Sequence, residues 1–309
     1  MRVLLLDKNH PLITEQLSAK KFILEEDFTS SYDEVCRKIE NYDGVIIRSR
    51  IPLDQNFLKK AKNLKFIARV GAGMENIDIP VAKKMGIQLI NSPEGNRDSV
   101  AEHVVGMLLV LMNRLFIASQ EVKNGIWLRE ENRGDELLGK TVGLIGYGNM
   151  GKATAKRLSG FGCKVIFYDI LPDLSDEFAE QVSLEELQEK AEVLSLHIPL
   201  TEQTHYMIDG SFIDGMKHDF YFVNTARGKN VETKSLVEAL KSGKVKGACL
   251  DVLEYEKSSF ENLETENEDL NYLLESEKAI VTPHIAGWTV QSKEKLAQVI
   301  VDKIITQFA

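Results

Sequence analysis

The sequence predicts an α/β protein made of two parallel-sheet domains, and three features point to this. Its 309 residues exceed the usual length of one domain. Short apolar strands alternate with amphipathic helical segments in two separate blocks of the chain. A long apolar stretch with helical spacing, residues 99–123, separates the two blocks, and we place the domain crossover at its start.

The first block, residues 1 to about 92, alternates strands with helices. Strands are predicted at residues 3–6, 44–47, 66–70 and 88–90, and helices at 32–40, 55–62 and 79–85. The long helix of residues 99–123 follows; it contains no proline, and Gly125 supplies its stop signal. A small α/β layer with a parallel sheet is therefore expected before the crossover.

The second block repeats the alternation over a longer span. Strands are predicted at residues 141–145, 164–168, 193–197, 221–224, 247–250 and 280–282, and helices at 151–158, 184–190, 233–242 and 292–308. Repetition of this kind is typical of a doubly wound sheet. We expect one domain over residues 98–288, inserted in another formed by residues 1–97 and 289–309.

Composition excludes several classes of protein. A hydrophobic fraction of 43% and a charged fraction of 28% are ordinary for a soluble globular chain. No run of 18 apolar residues is present, so no membrane span is expected. A net charge of -9 without a basic stripe argues against nucleic-acid binding. Cys36, Cys163 and Cys249 lack metal-ligand spacing, and we expect buried free thiols in a reducing, cytoplasmic compartment and no metal site.

Residues 257–278 interrupt the alternation with seven acidic side chains against two lysines. The simpler interpretation is a solvated surface insertion. The alternative is a mobile acidic flap over an active site. Both interpretations stay open.

A glycine-rich loop follows the strand at residues 141–145. Gly146 permits a tight turn, Gly148 lets a pyrophosphate approach the backbone, and Gly151 lets the helix pack closely on the strand. Asn149 and Met150 are further expected cofactor contacts in this loop, and the helix that begins near Lys152 offers N-terminal N–H groups to phosphate. The loop therefore predicts a Rossmann dinucleotide-binding domain.

An acidic residue defines which dinucleotide is bound. Asp169 ends the next strand, 18 residues after Gly151, where a carboxylate accepts hydrogen bonds from the adenosine ribose. The carboxylate would repel a 2′-phosphate, and no arginine or lysine follows it before Lys190. The sequence therefore predicts NAD as the cofactor rather than NADP.

Polar segments follow three later strands, at residues 224–228, 251–256 and 283–287. The carboxyl ends of parallel strands share one edge of the sheet, where ligands of such sheets bind. Hydride transfer to a carbonyl needs a cation to anchor the substrate and a proton donor for its oxygen. The segments contain one arginine, Arg227, and one histidine, His284, which are residue types that such chemistry uses.

These segments, in this order, resemble the D-2-hydroxyacid dehydrogenase family, most closely its short-type D-3-phosphoglycerate dehydrogenases. The resemblance covers nearly the whole chain and includes residues 70–73 with Asn76 and Asp78, and residues 91–93, 101–103 and 125–127. It implies a Rossmann NAD-binding domain inserted in a flavodoxin-like substrate domain. It also implies a homodimer formed through residues 99–123.

The resemblance implies a role for each matched residue. Arg227 would grip the substrate carboxylate and carbonyl oxygen, a bidentate task suited to a guanidinium. His284 would act as acid and base, and Glu256 would orient its imidazole. Glu254 is the alternative partner, because Lys257 stands where the family usually has proline after the glutamate.

The resemblance also implies the remaining contacts of the site. Asp251 would contact the nicotinamide carboxamide. The other expected cofactor contacts are His197, Pro199, Thr225, Ala226 and Gly287. The backbone of Gly71, Ala72 and Gly73 would receive the substrate carboxylate. We expect His10, His103, His205 and His218 to be structural or solvent-facing.

Arginines in the first block indicate the substrate. Arg48 and Arg69 match the phosphoglycerate branch of the family, where these arginines help to hold a phosphate, and Ser49 beside Arg48 is a further expected substrate contact. We therefore expect a small anionic substrate, with 3-phosphoglycerate oxidised to 3-phosphohydroxypyruvate in serine biosynthesis. One alternative is a hydroxypyruvate, glyoxylate or other 2-keto acid reductase. Another, of a different class, is a scaffold protein that senses NAD(H).

Overall fold

A computed structural model describes residues 1–256 and 267–309. The chain divides into two compact units. The first unit comprises Met1–Arg97 and Trp288–Ala309, and the second unit comprises Asp98–Gly287. Each unit contains one parallel sheet.

Twelve strands are present in the described residues. They are β1 (Arg2–Leu5), β2 (Ile23–Glu26), β3 (Gly44–Ile47), β4 (Phe66–Arg69), β5 (Gln88–Asn91), β6 (Thr141–Ile145), β7 (Lys164–Tyr168), β8 (Glu180–Gln181), β9 (Val193–Leu196), β10 (Phe220–Asn224), β11 (Val245–Leu250) and β12 (Ala279–Val281). The first unit has the order β2-β1-β3-β4-β5, and the second has β12-β11-β10-β9-β6-β7-β8. All ladders are parallel. These orders confirm the predicted flavodoxin-like and Rossmann sheets.

Twelve α-helices connect these strands or flank them in the described ranges. They are α1 (Leu12–Ala19), α2 (Tyr32–Lys38), α3 (Gln55–Lys60), α4 (Ile79–Lys84), α5 (Pro93–Met112), α6 (Leu115–Lys123), α7 (Asn149–Leu158), α8 (Leu184–Lys190), α9 (Gly210–Gly215), α10 (Thr233–Ser242), α11 (Glu268–Glu275) and α12 (Val290–Phe308). Short 3-10 helices lie at Ile39–Asn41, Ser159–Phe161 and Gly228–Asn230.

Each sheet is buried on both faces, because successive residues of a strand point to opposite sides. In β1, Val3 and Leu5 join a core that also contains buried residues of α12. Leu4 joins the core on the other face of the same sheet. The second unit likewise has two cores, one of which includes the apolar face of α5.

Two strands and three helices of the structure were not predicted from the sequence. The acidic strand β2 and the two-residue strand β8 lie at sheet edges, where half-exposed polar residues hide the pattern. Helices α1, α9 and α11 have at most eight residues, too few for a clear helical period.

The single helix expected over residues 99–123 is wrong, because α5 and α6 are separate and the pair is bent by 58°. Arg114 at the break has a left-handed φ of 51°. The Asp135 N–H group donates a hydrogen bond to the Met112 carbonyl oxygen at 2.9 Å, and a Cβ on Gly134 would lie 2.7 Å from Asn113 Cα. The segment at residues 134–135 therefore contacts the C-terminal end of α5, and the sequence around residue 113 gives no local signal for this end.

Among the described helices, none by itself is long and apolar enough to cross a membrane, and only the bent pair of α5 and α6 passes that test jointly.

The acidic stretch at residues 257–278 is only partly described. Residues 257–266, and with them the proposed flap, lie outside the described residues. The remainder differs from a solvated insertion, because it contains α11 with Leu270 and Leu273 buried in the core. Asn267 caps this helix by accepting the Leu270 N–H group at 3.1 Å.

The three cysteines are free, as expected. Cys36 and Cys249 are buried, whereas Cys163 is only partly buried. In residues 1–256 and 267–309, no three His, Cys, Asp or Glu side chains group closely enough to hold a metal ion.

Candidate active site

The glycine loop of the second unit joins β6 to α7, beside the point where the strand order reverses. Gly146 has a φ of 93°, and a Cβ there would lie 2.6 Å from the His197 carbonyl oxygen. A Cβ on Gly151 would lie 2.2 Å from the Gly146 carbonyl oxygen. By contrast, a Cβ on Gly148 would meet nothing within 4 Å. The fold itself therefore requires the first and third glycines, while the second faces open space of the kind a ligand needs.

The N-terminus of α7 faces the same loop. Gly148 is its N-cap and makes no side-chain capping hydrogen bond. Asn149 and Met150 are the first two helical residues, so the N–H groups of this turn have no intrahelical acceptor. An uncapped helix N-terminus behind a glycine loop suits a phosphate group.

Asp169 lies directly after β7 and is bonded to the glycine loop. Its Oδ2 accepts the Tyr147 N–H group at 2.7 Å, and its Oδ1 accepts the Leu171 N–H group at 3.0 Å. These two hydrogen bonds give the carboxylate a defined position beside the loop.

Two buried polar atoms without a hydrogen-bond partner lie beyond β9 and β10. They are His197 Nδ1 and Thr225 Oγ1, both on residues expected to contact the cofactor. His197 Nε2 lies 3.0 Å from Ser195 Oγ, and burial lowers the pKa of His197 to about 4. Because leaving buried polar groups unpaired is costly, these two atoms fit a bound cofactor.

The other two expected cofactor contacts near these strands are engaged through their backbones. The Pro199 carbonyl oxygen accepts the Thr204 hydroxyl at 2.6 Å. The Ala226 N–H group donates to Asn224 Oδ1 at 3.0 Å. Both contacts shape the turns that follow β9 and β10.

His284 is paired with Glu256, and the alternative partner Glu254 is engaged elsewhere. His284 Nδ1 lies 2.8 Å from Glu256 Oε2, and Glu256 Oε1 accepts the Leu253 N–H group at 2.7 Å. Glu254 accepts the Tyr206 hydroxyl at 2.5 Å and the Thr233 N–H group at 3.0 Å. Glu254 therefore supports the start of α10, and Glu256 orients the imidazole.

Arg227 lies directly after β10, in a loop packed against the chain that follows β11. Its backbone N–H group donates to Asn230 Oδ1 at 3.1 Å, and its Nη1 donates to the Ala226 carbonyl oxygen at 2.6 Å. A Cβ on Gly228 would lie 1.9 Å from the Leu253 carbonyl oxygen. Only glycine permits this approach of the arginine loop to the glutamate loop, a requirement that sequence reasoning missed.

Asp251 holds the turn that carries His284. Its side chain is buried, and Oδ1 and Oδ2 accept the Ile285 and Ala286 N–H groups, each at 2.8 Å. The Asp251 carbonyl oxygen accepts the His284 N–H group at 2.8 Å. His284 has a φ of 55°, a region that non-glycine residues rarely adopt. Gly287, the last expected cofactor contact, ends the second unit.

In the first unit, the expected substrate residues lie at the carboxyl ends of β3 and β4, where Arg48 follows β3 and Arg69 is the last residue of β4. Arg69 Nε donates to the Arg48 carbonyl oxygen at 3.2 Å. The Arg48 guanidinium carbon lies 4.2 Å from the centroid of the Trp288 ring. Ser49 is partly buried beside Arg48. Arg50 instead bonds to the carbonyl oxygens of Leu6, Asp27 and Ser30, which makes it structural.

The Gly71-Ala72-Gly73 loop lies under the Arg69 side chain. A Cβ on Gly71, whose φ is 152°, would lie 1.6 Å from Arg69 Nη1. Ser92 Oγ accepts the Gly71 N–H group at 3.1 Å. The Ala72 carbonyl oxygen accepts Asn91 Nδ2 at 2.7 Å. These contacts bring the two arginines and the loop together within the first unit.

Comparison with known proteins gives consistent results. Residues 105–286 match the model of the D-isomer specific 2-hydroxyacid dehydrogenase NAD-binding domain. The chain is 38% identical to hydroxypyruvate reductase of Thermotoga maritima, covering 97% of this chain and 96% of that protein. It is 36% identical to D-3-phosphoglycerate dehydrogenase of Archaeoglobus fulgidus, over 89% of this chain but 51% of that protein.

A solved structure is similar over nearly the full length. D-lactate dehydrogenase from Aquifex aeolicus, in complex with NAD and lactic acid, superposes with a TM-score of 0.84 at 30% identity. The match covers 99% of this chain and 96% of that one.

Proposed function

The chain belongs to the D-isomer-specific 2-hydroxyacid dehydrogenase family, and from this premise we propose that it interconverts 3-phosphoglycerate and 3-phosphohydroxypyruvate. The cofactor is NAD, and the substrates of the family are small 2-hydroxy and 2-keto acids. The phosphorylated substrate is our inference, and it would place the enzyme in serine biosynthesis.

The observation that carries this inference is the arginine pair of the first unit. Arg69 is bonded to the Arg48 backbone and covers Gly71, in the loop that we propose for the substrate carboxylate. The protein has a net charge of -9, so a doubly charged phosphate needs local cations. Guanidinium groups bind phosphate oxygens with paired, charge-assisted hydrogen bonds. A substrate with only a neutral hydroxymethyl group would not need both arginines.

The second unit supplies the proposed chemistry. NAD, when bound, would supply the hydride acceptor for oxidation and, as NADH, the hydride donor for reduction. Arg227 binds the carboxylate and polarises the C2 oxygen. Glu256 accepts a hydrogen bond from Nδ1–H of His284, because a carboxylate has no proton to donate. His284 Nε2 is then the nitrogen that exchanges a proton with the C2 oxygen.

Cofactor binding is likewise assigned to the second unit. The glycine loop and the start of α7, with Asn149 and Met150, would hold the pyrophosphate, and Asp169 would accept the ribose hydroxyls. His197, Pro199, Thr225, Ala226, Asp251 and Gly287 would surround the nicotinamide. The two unpartnered atoms of His197 and Thr225 support this assignment.

The substrate proposal is tested by comparing kcat/KM for phosphohydroxypyruvate, hydroxypyruvate and glyoxylate with NADH. Arg48→Gln and Arg69→Gln should each lower kcat/KM for phosphohydroxypyruvate by about 10- to 150-fold, since a hydrogen bond to a charged group contributes ~1.5–3 kcal/mol. The same variants should change the value for glyoxylate much less. Equal losses for all three acids would refute the phosphate assignment.

A second candidate is reduction of hydroxypyruvate itself. The relative from Thermotoga maritima that bears this name matches over nearly the full length of both chains. A higher kcat/KM for hydroxypyruvate than for its phosphate would establish this alternative. Binding of NADH without turnover of any 2-keto acid would instead support the NAD(H)-sensing scaffold.

We also propose that two copies associate through α6 and the residues after it. Phe116, Val122, Ile126 and Trp127 are exposed apolar side chains, and such a patch is typical of an interaction surface. A monomeric mass by light scattering at micromolar concentration would contradict this. We assign the protein to the cytoplasm on its three free cysteines.

A further inference from the structure

A chain of polar groups lies behind the turn that carries His284, and it begins on α5. His103 Nε2 lies 3.1 Å from Thr282 Oγ1, which lies 2.6 Å from Asp251 Oδ1. Asp251 is 1% exposed, and its carboxylate also accepts the N–H groups of the two residues after His284. The three side chains come from α5 and the ends of β11 and β12, so only the fold brings them together.

The chemistry of these groups sets the direction of each hydrogen bond. A carboxylate only accepts, so the Thr282 hydroxyl donates its one proton to Asp251. Met107 Sδ, 3.9 Å from the same hydroxyl, is a much weaker acceptor. The Thr282 oxygen is then an acceptor towards His103, which must donate from Nε2. Donation therefore runs from the imidazole through the hydroxyl to the buried carboxylate, and His103 Nε2 also lies 3.6 Å from Asp251 Oδ1 itself.

We propose that His103 and Thr282 are positioning residues for the reaction at His284, acting through Asp251. The inference rests on the proposed role of His284 as the acid and base. The Thr282 hydroxyl makes the shortest of the three hydrogen bonds to the carboxylate, and His103 holds that hydroxyl in its donating orientation.

The turn at His284 depends on the carboxylate because its backbone is strained. A φ of 55° is unfavourable for a histidine, and such a conformation persists only where surrounding contacts impose it. Loss of the Thr282 hydroxyl would let Asp251 rotate, and the imidazole would lose its alignment with the C2 oxygen. Misalignment slows the chemical step, so the variants should lower kcat and leave KM nearly unchanged.

Two pairs of variants test the chain of bonds. Thr282→Val removes the hydroxyl at nearly constant shape, whereas Thr282→Ser keeps it. His103→Leu removes the donor, whereas His103→Gln keeps an N–H group. We expect the valine and leucine variants to lower kcat for the best 2-keto acid about 10- to 100-fold, with the KM of that acid within about twofold. The serine and glutamine variants should stay within about threefold of the wild type.

Thr154→Val is the matched control, because it removes a buried hydroxyl that has no partner. Its kcat should equal that of the wild type. The double variant His103→Leu/Thr282→Val should be no slower than the worse single variant, since both act through one carboxylate. If Thr282→Val does not fold, the two His103 variants test the proposal instead. The His103 side chain is 22% exposed, so its replacement disturbs the core less.

His284→Gln, measured in parallel, separates the two proposals. If it keeps the wild-type rate, the proposed acid/base role fails. If it is nearly inactive while Thr282→Val and His103→Leu match the wild type, the positioning role alone is refuted. Equal losses in the serine and valine variants would also refute it.

Discussion

Glu256→Gln removes the negative charge beside His284 and keeps the size of the side chain. Glu256 Oε2 lies 2.8 Å from His284 Nδ1, and the Glu256 side chain is only 13% exposed, so water screens the pair weakly. A hydrogen bond to a charged group contributes ~1.5–3 kcal/mol, and each 1.4 kcal/mol is about a factor of ten. We therefore expect kcat to fall about 10- to 150-fold, with the Kd of NADH unchanged. Steady-state oxidation of NADH by the best 2-keto acid measures this.

Glu254→Gln, two residues away, is the matched control for that experiment. Glu254 contacts Tyr206 and Thr233 rather than His284, so its loss should lower the melting temperature and leave kcat within about twofold. A large loss of kcat in Glu254→Gln, with Glu256→Gln close to the wild type, would refute the assignment of the pair.

Three further results are expected. Gly148→Ala should leave the melting temperature of the apo protein unchanged, because the new methyl group enters only open space. It should weaken NADH binding at least about tenfold in a fluorescence titration, because the methyl group stands where the pyrophosphate approaches the backbone. Unchanged affinity would contradict the loop assignment. Gly228→Ala should lower the free energy of unfolding in urea by about 1–3 kcal/mol, because its Cβ would clash with the Leu253 carbonyl group. Gly160→Ala is the control and should leave that free energy unchanged, because its Cβ would meet only open space. Equal effects of the two substitutions would argue against the clash. Burial lowers the pKa of His197 to about 4. Below pH 6.5 the unfolded chain therefore takes up a proton at this residue that the folded chain does not. The free energy of unfolding should fall as the pH drops from about 6.5 to 4. This contribution, about 1.4 kcal/mol per pH unit, should be absent from His197→Gln.

Much of the fold was predictable because it follows from local pattern. The central strands β3, β6 and β7 have their predicted limits, since a strand buried on both faces reads as a continuous apolar run. The bend at Arg114 was not predictable, because it depends on a hydrogen bond from Asp135 to Met112. The edge strand β2 was not predicted, because two of its four residues are glutamates and it lacks a continuous apolar run.

The candidate site divides in the same way. The spacing of Gly146, Gly148 and Gly151 predicted a dinucleotide, Asp169 predicted NAD, and family comparison confirmed NAD. The roles of Arg227 and His284 were implied by resemblance and stay predictions for kinetics to test. Thr282 was overlooked, although it stands directly before the proline and histidine of a matched motif.

The sequence by itself determined the fold class, the cofactor and the residue types that gather at one sheet edge, because these depend on short-range spacing and strand order. Only the tertiary structure decided that Glu256, and not Glu254, pairs with His284. It also showed that Asp251 supports the histidine turn and that His103 lies behind it. Such choices depend on contacts between residues up to 179 positions apart, and the direction of a side chain across that separation is set by packing rather than by spacing.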